Sequence, residues 1–362
     1  MTKFNISTIL IAPLDWGLGH ATRCIPIIRT LKDAGFNVTV AVCEKQKILL
    51  QQEFTDLKYL DLFGYDIQYS TKKWFFPFKI LFQIPKILRK INQEHQWLNS
   101  IIEKEGIDVV ISDNRYGLYS SKVPCVFITH QLTIKAPFVW LEGVLQKINY
   151  RLINRFSACW IPDIESKNNI AGVLSHPKKL PSIPLHYLGV LSRFKKLSNI
   201  EQKFDVCILL SGPEPQRTVL ENIFLKQLLP ITNKKILFVR GLPQTTEKIT
   251  AESVIIKNHL SGKDLLESIL SSDLIISRSG YTTVMELLSL QKKSILIPTP
   301  GQTEQEYLAN HLHHQKMCLT YNQDEIDLAK AIEEANNFDY KLSNEFSFQK
   351  EIILGLVKDL LK

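Results

Sequence analysis

Short apolar runs rich in β-branched residues, each followed by a longer amphipathic stretch, recur along this chain and restrict its fold more than any other feature. In the first half the runs are Ile6–Ala12, Asn37–Cys43, Lys58–Leu62, Asp108–Ser112, Cys125–Thr129 and Cys159–Ile161. Stretches such as Ala21–Lys32 and Ile80–Glu103 lie between them and carry their apolar residues on one helical face. A strand that hands over to a helix returns parallel to itself, so the rhythm predicts parallel sheets covered on both faces and excludes all-helical and hairpin-built all-β folds. The rhythm stops at Pro177, Pro181 and Pro184 and stays absent through the polar stretch 186–203, read as a loop and domain hinge. It restarts with Phe204–Leu210, Lys235–Val239, Ser253–Lys257, Leu274–Ser277, Ser294–Ile297 and Met317–Thr320. Two α/β, Rossmann-like doubly wound domains are expected, 1–192 and 193–344, facing each other across a deep cleft. A last helix over 345–362, with Phe348, Ile352, Leu356 and Leu360 as its apolar seam, is expected to pack back onto the first domain.

At 362 residues the chain is long enough for two hydrophobic cores. Its 45% hydrophobic and 22% charged residues exclude wholesale disorder. The six cysteines form no C-x-x-C pair and no zinc spacing, and read as reduced thiols of a cytoplasmic protein. The opening residues read as a first strand rather than a signal peptide. No apolar run reaches the ~18 residues of a membrane span. The net charge of +8 suits a phosphate-bearing ligand or an anionic membrane surface. Nucleic acid is not expected as a partner, because no basic-aromatic module or finger spacing accompanies that charge.

Two strand-to-helix turns carry the chemistry. The first strand runs into Asp15-Trp16-Gly17-Leu18-Gly19-His20. Gly17 and Gly19 permit a tight turn with close backbone approach, and His20 at a helix start can serve as a base near neutral pH. Its plain alternative is a structural turn whose histidine caps the helix. In the second half Ser277-Arg278-Ser279-Gly280-Tyr281-Thr282-Thr283-Val284-Met285-Glu286 follows a strand and opens a helix. The hydroxyls of Ser279, Thr282 and Thr283 beside helix-start N–H groups form a cradle for a diphosphate. Glu286, one turn in, can accept two hydrogen bonds from a ribose diol. The following strand ends in Pro298-Thr299-Pro300-Gly301-Gln302-Thr303-Glu304-Gln305, which places Glu304 and Gln305 where sugar hydroxyls can be bound.

These stretches resemble those of a known family. The S-R-S-G-Y-T-T-V-M-E segment is similar to the R-[SA]-G-x-x-T-V-x-E donor signature of MurG-like glycosyltransferases (glycosyltransferase family 28), inverting enzymes of the GT-B superfamily that use UDP-sugars. The P-T-P-G-Q-T-E-Q segment resembles that family's proline-rich loop, and D-W-G-L-G-H its G-G-x-G-G-H loop. The resemblance implies a GT-B fold and transfer of a hexose or N-acetylhexosamine from a UDP-sugar to an acceptor hydroxyl. The acceptor would be a glycan or a lipid-linked one, in cell-envelope synthesis. It also implies a donor site of Arg278, Ser279, Gly280, Thr282, Thr283, Glu286, Glu304 and Gln305, with Ser211 and Gly212 from the loop after Leu210. That loop departs from the family's G-G-S, because Pro213 and Pro215 remove two N–H donors. No metal or other cofactor is expected.

Two polar clusters follow first-domain strands, Asp113-Asn114-Arg115 and His130-Gln131. They extend an acceptor side made of Gly17, Gly19, Arg115 and His130. Either His20 or Asp113 would be the base, and Arg115 would hold a phosphate; the plain readings are an N-cap for Asp113 and a loop position for His130. Lysines and aromatics interleave over Lys72–Phe82 and again over Lys135–Arg155, a composition suited to the inner face of a membrane or to an ordinary core helix with a basic face. The same donor motifs would also serve a UDP-sugar hydrolase or epimerase, or a non-catalytic nucleotide-sugar-binding subunit.

Overall fold

A computed structural model describes residues 6–65, 76–136, 138–197, 200–246, 249 and 254–362, with the backbone alone at 76–82, 84 and 139. The first unit comprises 1–69, 77–193 and 347–362, the second 70–76 and 194–346.

In the first unit, β1 (Thr8–Pro13) is buried at all six positions, the pattern of a strand covered on both faces. It lies between β2 (Asn37–Val42) and β4 (Ile107–Asp113). β3 (Lys58–Asp61), β5 (Cys125–Ile128), β6 (Ala158–Ile161) and β7 (Leu185–Tyr187) complete a parallel seven-stranded sheet of order β3-β2-β1-β4-β5-β6-β7. The right-hand neighbour of β1 is β4, so the order reverses at β1, and ligands of such sheets bind beyond the carboxyl ends at that switch point. Helices α1 (Gly19–Asp33), α2 (Glu44–Glu53), α3 (Phe76–Glu105) and α4 (Val139–Ile153) form the crossovers.

In the second unit β8 (Phe204–Leu209), β9 (Ile236–Val239), β10 (Val254–Lys257), β11 (Ser272–Ser277), β12 (Lys293–Leu296) and β13 (Leu319–Thr320) form a parallel sheet of order β10-β9-β8-β11-β12-β13. It reverses between β8 and β11. Helices α5 (Gln216–Leu228), α6 (Gly262–Leu270), α7 (Tyr281–Ser289), α8 (Thr303–His314) and α9 (Leu328–Asn337) accompany it. Ile208, Phe224, Phe238, Ile276 and Leu328 are among its fully buried core residues.

Three local expectations need correction. The stretch after Pro184 is not all loop: Leu185–Tyr187 pairs with β6 as the seventh strand. Three residues beside three prolines are too short to show a period-2 pattern. The last helix, α10 (Lys350–Leu360), starts later than 345, because Phe348 is held in an antiparallel bridge to Gly189. Its buried seam, against α1, is Ile353 and Val357 rather than Ile352 and Leu356.

Candidate functional site

The carboxyl end of β4 and the start of α1 bring together a cluster of buried charges. Asp113, the last residue of β4, is 0% exposed and is met by the side chains of His20 and Arg23 through three contacts. His20 Nδ1 lies 3.1 Å from its Oδ2, Arg23 Nε donates to the same oxygen at 2.8 Å, and Arg23 Nη2 pairs with Oδ1. His20 and Arg23 are one helical turn apart on α1, which puts both over the end of β4. Arg23 Nη1 also lies 3.3 Å from Nδ1 of His130, which follows β5. Burial alone would raise the Asp113 carboxyl, but the charges of Arg23 and His20 outweigh it and hold the group well below the usual carboxylate range. The His20 imidazole is pushed down, first by burial and then by Arg23 and His130, against the pull of Asp113. A neutral imidazole whose Nδ1 is fixed on a carboxylate is a general base at Nε2.

Asp113 is fully buried with Arg23 on both oxygens, a placement suited to orienting His20 rather than to accepting a proton. Arg115, expected to hold a phosphate, has a fully buried side chain turned onto protein groups. Its Nε donates to the carbonyl of Pro13 at 2.8 Å, and its Nη1 to the carbonyl of Phe63 at 3.2 Å and to Glu94 at 2.7 Å. Glu94 in turn accepts from Tyr65 at 2.6 Å and from the backbone N–H of Gly117 at 3.1 Å. At Gly117 the loop comes so close to α3 that a Cβ would meet the Ile91 carbonyl at 2.2 Å. The Arg115–Glu94 pair thus clamps the loop carrying Asp113 onto α3. Gly17, with φ of +94°, turns the β1–α1 loop, and Gly19 is the first residue of α1.

In the second unit the site is built from loops at the carboxyl ends of β8, β11 and β12. Gly280 is the N-cap of α7, no side chain caps that helix start, and a Cβ at Gly280 would have nothing within 4 Å. Thr282 and Thr283 stand half-buried in the first turn and Glu286 is buried one turn later. Ser279 donates to the backbone carbonyl of Gln305 at 3.0 Å, which ties the α7 loop to the start of α8. The Gln305 side chain accepts from the Thr299 N–H at 2.9 Å, and Glu304 is half-buried beside it. Ser211 and Gly212 are exposed after β8, where Gly212 has φ of +106°.

Arg278 is not a ligand-facing residue. It is 2% exposed, and its Nη1 donates to the carbonyls of Ile297 and Pro298 at 3.4 and 3.2 Å. Its Nη2 donates to the Gln216 carbonyl at 2.7 Å and to the Gln323 side chain at 2.5 Å. Burial pushes its guanidinium down to about 10. One side chain thereby fixes three loops around the α7 start.

Sequence reasoning missed Arg23, Glu94, Tyr65 and Gln323. Arg23 had a local signal, its three-residue spacing from His20. The others are joined to their partners only by the tertiary fold.

The comparisons fit this architecture. Residues 227–353 match the glycosyltransferase family 28 C-terminal domain. A Clostridium tetani protein named UDP-N-acetylglucosamine--N-acetylmuramyl-(pentapeptide) pyrophosphoryl-undecaprenol N-acetylglucosamine transferase is 22% identical over 323 residues, 87% of this chain and 84% of that protein. A Rhodopseudomonas palustris protein of the same name is 47% identical over 47 residues, 13% of each chain. Among solved structures, spinosyn forosaminyltransferase SpnP superposes with a TM-score of 0.63 at 13% identity, over 98% of this chain and 99% of that one. MurG of Acinetobacter baumannii does so with a TM-score of 0.52 at 13% identity, over 98% and 91%. Residues 227–353 thus carry a glycosyltransferase family 28 C-terminal domain, and the two doubly wound parallel sheets are the GT-B fold of the glycosyltransferases to which the whole chain is similar.

Proposed function

We propose that this chain moves a hexose or N-acetylhexosamine from a UDP-sugar to an acceptor hydroxyl with inversion at the anomeric carbon. The observation that carries the reading is His20, a base oriented through Nδ1 by an ionised, buried Asp113. The acceptor oxygen attacks the anomeric carbon while its proton passes to His20 Nε2. The bond from that carbon to the diphosphate oxygen breaks, and UDP leaves with the electron pair. The start of α7 and the hydroxyls of Thr282 and Thr283 supply donors and a positive dipole end for the departing diphosphate. Glu286 takes the ribose diol, and Glu304 with Gln305 the transferred sugar. In this reading no divalent ion is needed, so full turnover in chelator is expected; strict dependence on added magnesium or manganese would refute that part.

The test is His20→Ala. Loss of one positioned base lowers kcat by about 10²- to 10⁴-fold while UDP affinity, measured by calorimetry, stays within twofold. A variant that loses UDP binding and keeps its turnover per bound donor would make His20 a binding residue. Free sugar or an altered UDP-sugar formed without acceptor would instead favour a hydrolase or epimerase.

The relative from Clostridium tetani is named for a lipid-linked acceptor, and an acceptor of that class fits one face of the first unit. Along α4, Trp140, Val144 and Ile148 recur at four-residue spacing and are exposed, Trp140 by 70%. Lys147 and Arg151 are exposed on the same side, and Phe138 stacks on Trp140. From the buried side of α4, Asn149 donates to the carbonyls of Gln131 and Leu132, which anchors this helix to the loop that follows His130. An aromatic and cationic helix face of this kind seats at the headgroup level of an anionic bilayer. The Lys72–Phe75 part of the other basic-aromatic segment lies outside the described residues. Among these, no helix is long and apolar enough to cross a membrane, and the reading is of a cytoplasmic enzyme working at the inner membrane face. Co-sedimentation with phosphatidylglycerol vesicles, lost in Trp140→Ser/Ile148→Ser and absent with neutral vesicles, is the expected result.

A further inference from the structure

Arg23 touches both histidines of the first-unit site at once, directly in one case and through a carboxylate in the other. Its side chain is 2% exposed, so its fork is satisfied by protein groups. A guanidinium carries five N–H donors, no acceptor, and stays protonated. Any atom it hydrogen-bonds must therefore present a lone pair. Asp113 does so with both oxygens. His130 lies 3.3 Å from Arg23 Nη1 through Nδ1, so that nitrogen is the unprotonated one and the ring proton sits on Nε2. At His20 the logic inverts. Asp113 Oδ2 is an acceptor, so His20 Nδ1, 3.1 Å away, bears the ring proton and Nε2 carries the lone pair.

We propose that Arg23 is a positioning residue that sets His20 and His130 in opposite tautomers, one offering a lone pair at Nε2 and the other an N–H. The arrangement divides labour in a way a bare histidine–carboxylate pair does not. His20 takes the acceptor's proton, while His130 is held as a donor. The Gln131 amide nitrogen lies 3.5 Å from His130 Nε2; since two donors cannot pair, an N–H on that ring nitrogen requires the amide to be turned over so that its oxygen faces the ring. Arg23 also offsets the Asp113 charge. The groups facing His20 are Asp113 at the end of β4, Arg23 and the Cys24 thiol on α1, and His130 after β5. Without Arg23, Asp113 is uncompensated, and His20 binds its proton more tightly and is a poorer base at neutral pH. The catalytic consequence rests on the transferase reading; the tautomers do not.

The test uses the full-length chain labelled with ¹⁵N in its histidine rings and followed by long-range ¹H–¹⁵N correlation, with His20→Asn and His130→Asn providing assignments. At pH 7.5 (a value in ~neutral territory, above the ordinary histidine midpoint of about 6.5) the expected spectrum has the proton on Nδ1 of His20 and on Nε2 of His130. Arg23→Gln, which keeps a donor and removes the charge, is expected to tighten proton binding to His20 about tenfold, a shift of about one pH unit in its midpoint. The acid limb of kcat moves upward with it while KM for the UDP-sugar stays put. Arg23→Lys, which keeps the charge and loses the fork, is expected to retain the His20 midpoint and release the His130 tautomer. The same tautomer on both rings of the wild-type protein overturns the proposal, as does an unchanged His20 midpoint in folded Arg23→Gln. If Arg23→Gln does not fold, the wild-type spectrum alone decides. Opposite tautomers in a protein without transferase activity would leave the proposal standing and remove the reading of the reaction.

Discussion

The two units meet the same demand, a polar site at the switch point of a parallel sheet, by different means. The first gathers side-chain charges from distant parts of the chain. His20 and Asp113 are 93 residues apart, Arg23 and His130 107, and Arg115 and Glu94 21. The second works with one contiguous turn, Ser279 to Glu286, whose supports are largely backbone carbonyls held by Arg278. A site made of buried charges fails when one member is neutralised, because its partners are left unpaired in a low-dielectric interior. A site made of a helix start and loop carbonyls is dispersed over many weak groups and degrades gradually. The contrast can be attacked from both sides.

The largest effect is expected from Asp113→Asn. The amide can donate to His20 Nδ1 and thereby put the imidazole proton on Nε2, the wrong nitrogen for a base, and Arg23 loses its counter-charge. By analogy with other oriented histidines, kcat falls by about 10³- to 10⁴-fold. A loss smaller than tenfold would mean that Asp113 does not govern His20. Next comes Arg115→Met, which leaves Glu94 buried without its cation. Breaking a buried pair costs about 3–5 kcal/mol, read as a fall in urea-unfolding free energy. Because burial already raises the Glu94 carboxyl against Arg115, the lone group is expected to take up a proton and soften part of that loss. Stability unchanged within about 1 kcal/mol, against about 0.5 kcal/mol for an ordinary surface change, would show that the clamp is decorative.

The pH dependence follows from the same cluster. His20 binds its proton less tightly in the folded chain than in the unfolded one, where the midpoint is about 6.5. Its contribution to stability is therefore present above that midpoint and is lost as pH falls from it toward the lower folded value. Turnover is expected to be flat above the unfolded midpoint and to drop with falling pH only below it. Asp113, held low by Arg23 and His20 against burial, stays ionised across that window and adds no inflection. An acid limb lying above the ordinary histidine range would assign it to another group.

What was legible in the sequence divides along the same line. The α/β fold and its parallel strands could be read because each strand and helix announces itself over a few neighbouring residues; β7, with three residues beside prolines, could not. The turn proposed for the donor stands out as a motif because Ser279 to Glu286 are consecutive, and its strand-to-helix setting is what the sequence predicts. Arg278 and Arg115 were misassigned for one reason. A basic residue at a strand's carboxyl end looks like a phosphate ligand, and only the fold reveals that Arg115 is turned onto the Pro13 carbonyl and Glu94, and Arg278 onto the carbonyls of Pro298 and Gln216. Buried charge clusters are fixed by contacts many residues apart, so local pattern does not carry them.

The second unit gives the smaller and more diagnostic effects. Glu286→Ala, in the proposed donor site, removes a buried carboxylate whose ribose partners would lose their hydrogen bonds. A charged hydrogen bond is worth about 1.5–3 kcal/mol, so UDP affinity is expected to fall about 10- to 100-fold. Gly280→Ala is the subtler probe. Its φ of −68° is one that any residue adopts, and its Cβ would enter space with no protein atom within 4 Å. The folded chain has no steric or conformational reason to prefer glycine there, and the melting temperature is expected to stay within about 2 °C, since alanine also narrows the unfolded ensemble slightly. Glycine is then needed only if a ligand's diphosphate approaches the backbone at that point. Weaker UDP binding at unchanged stability would place the diphosphate against Gly280. Unchanged binding in Gly280→Ala would move the diphosphate away from the α7 start, even if Glu286→Ala had lost affinity, and the donor site would have to be redrawn around the ribose partner alone.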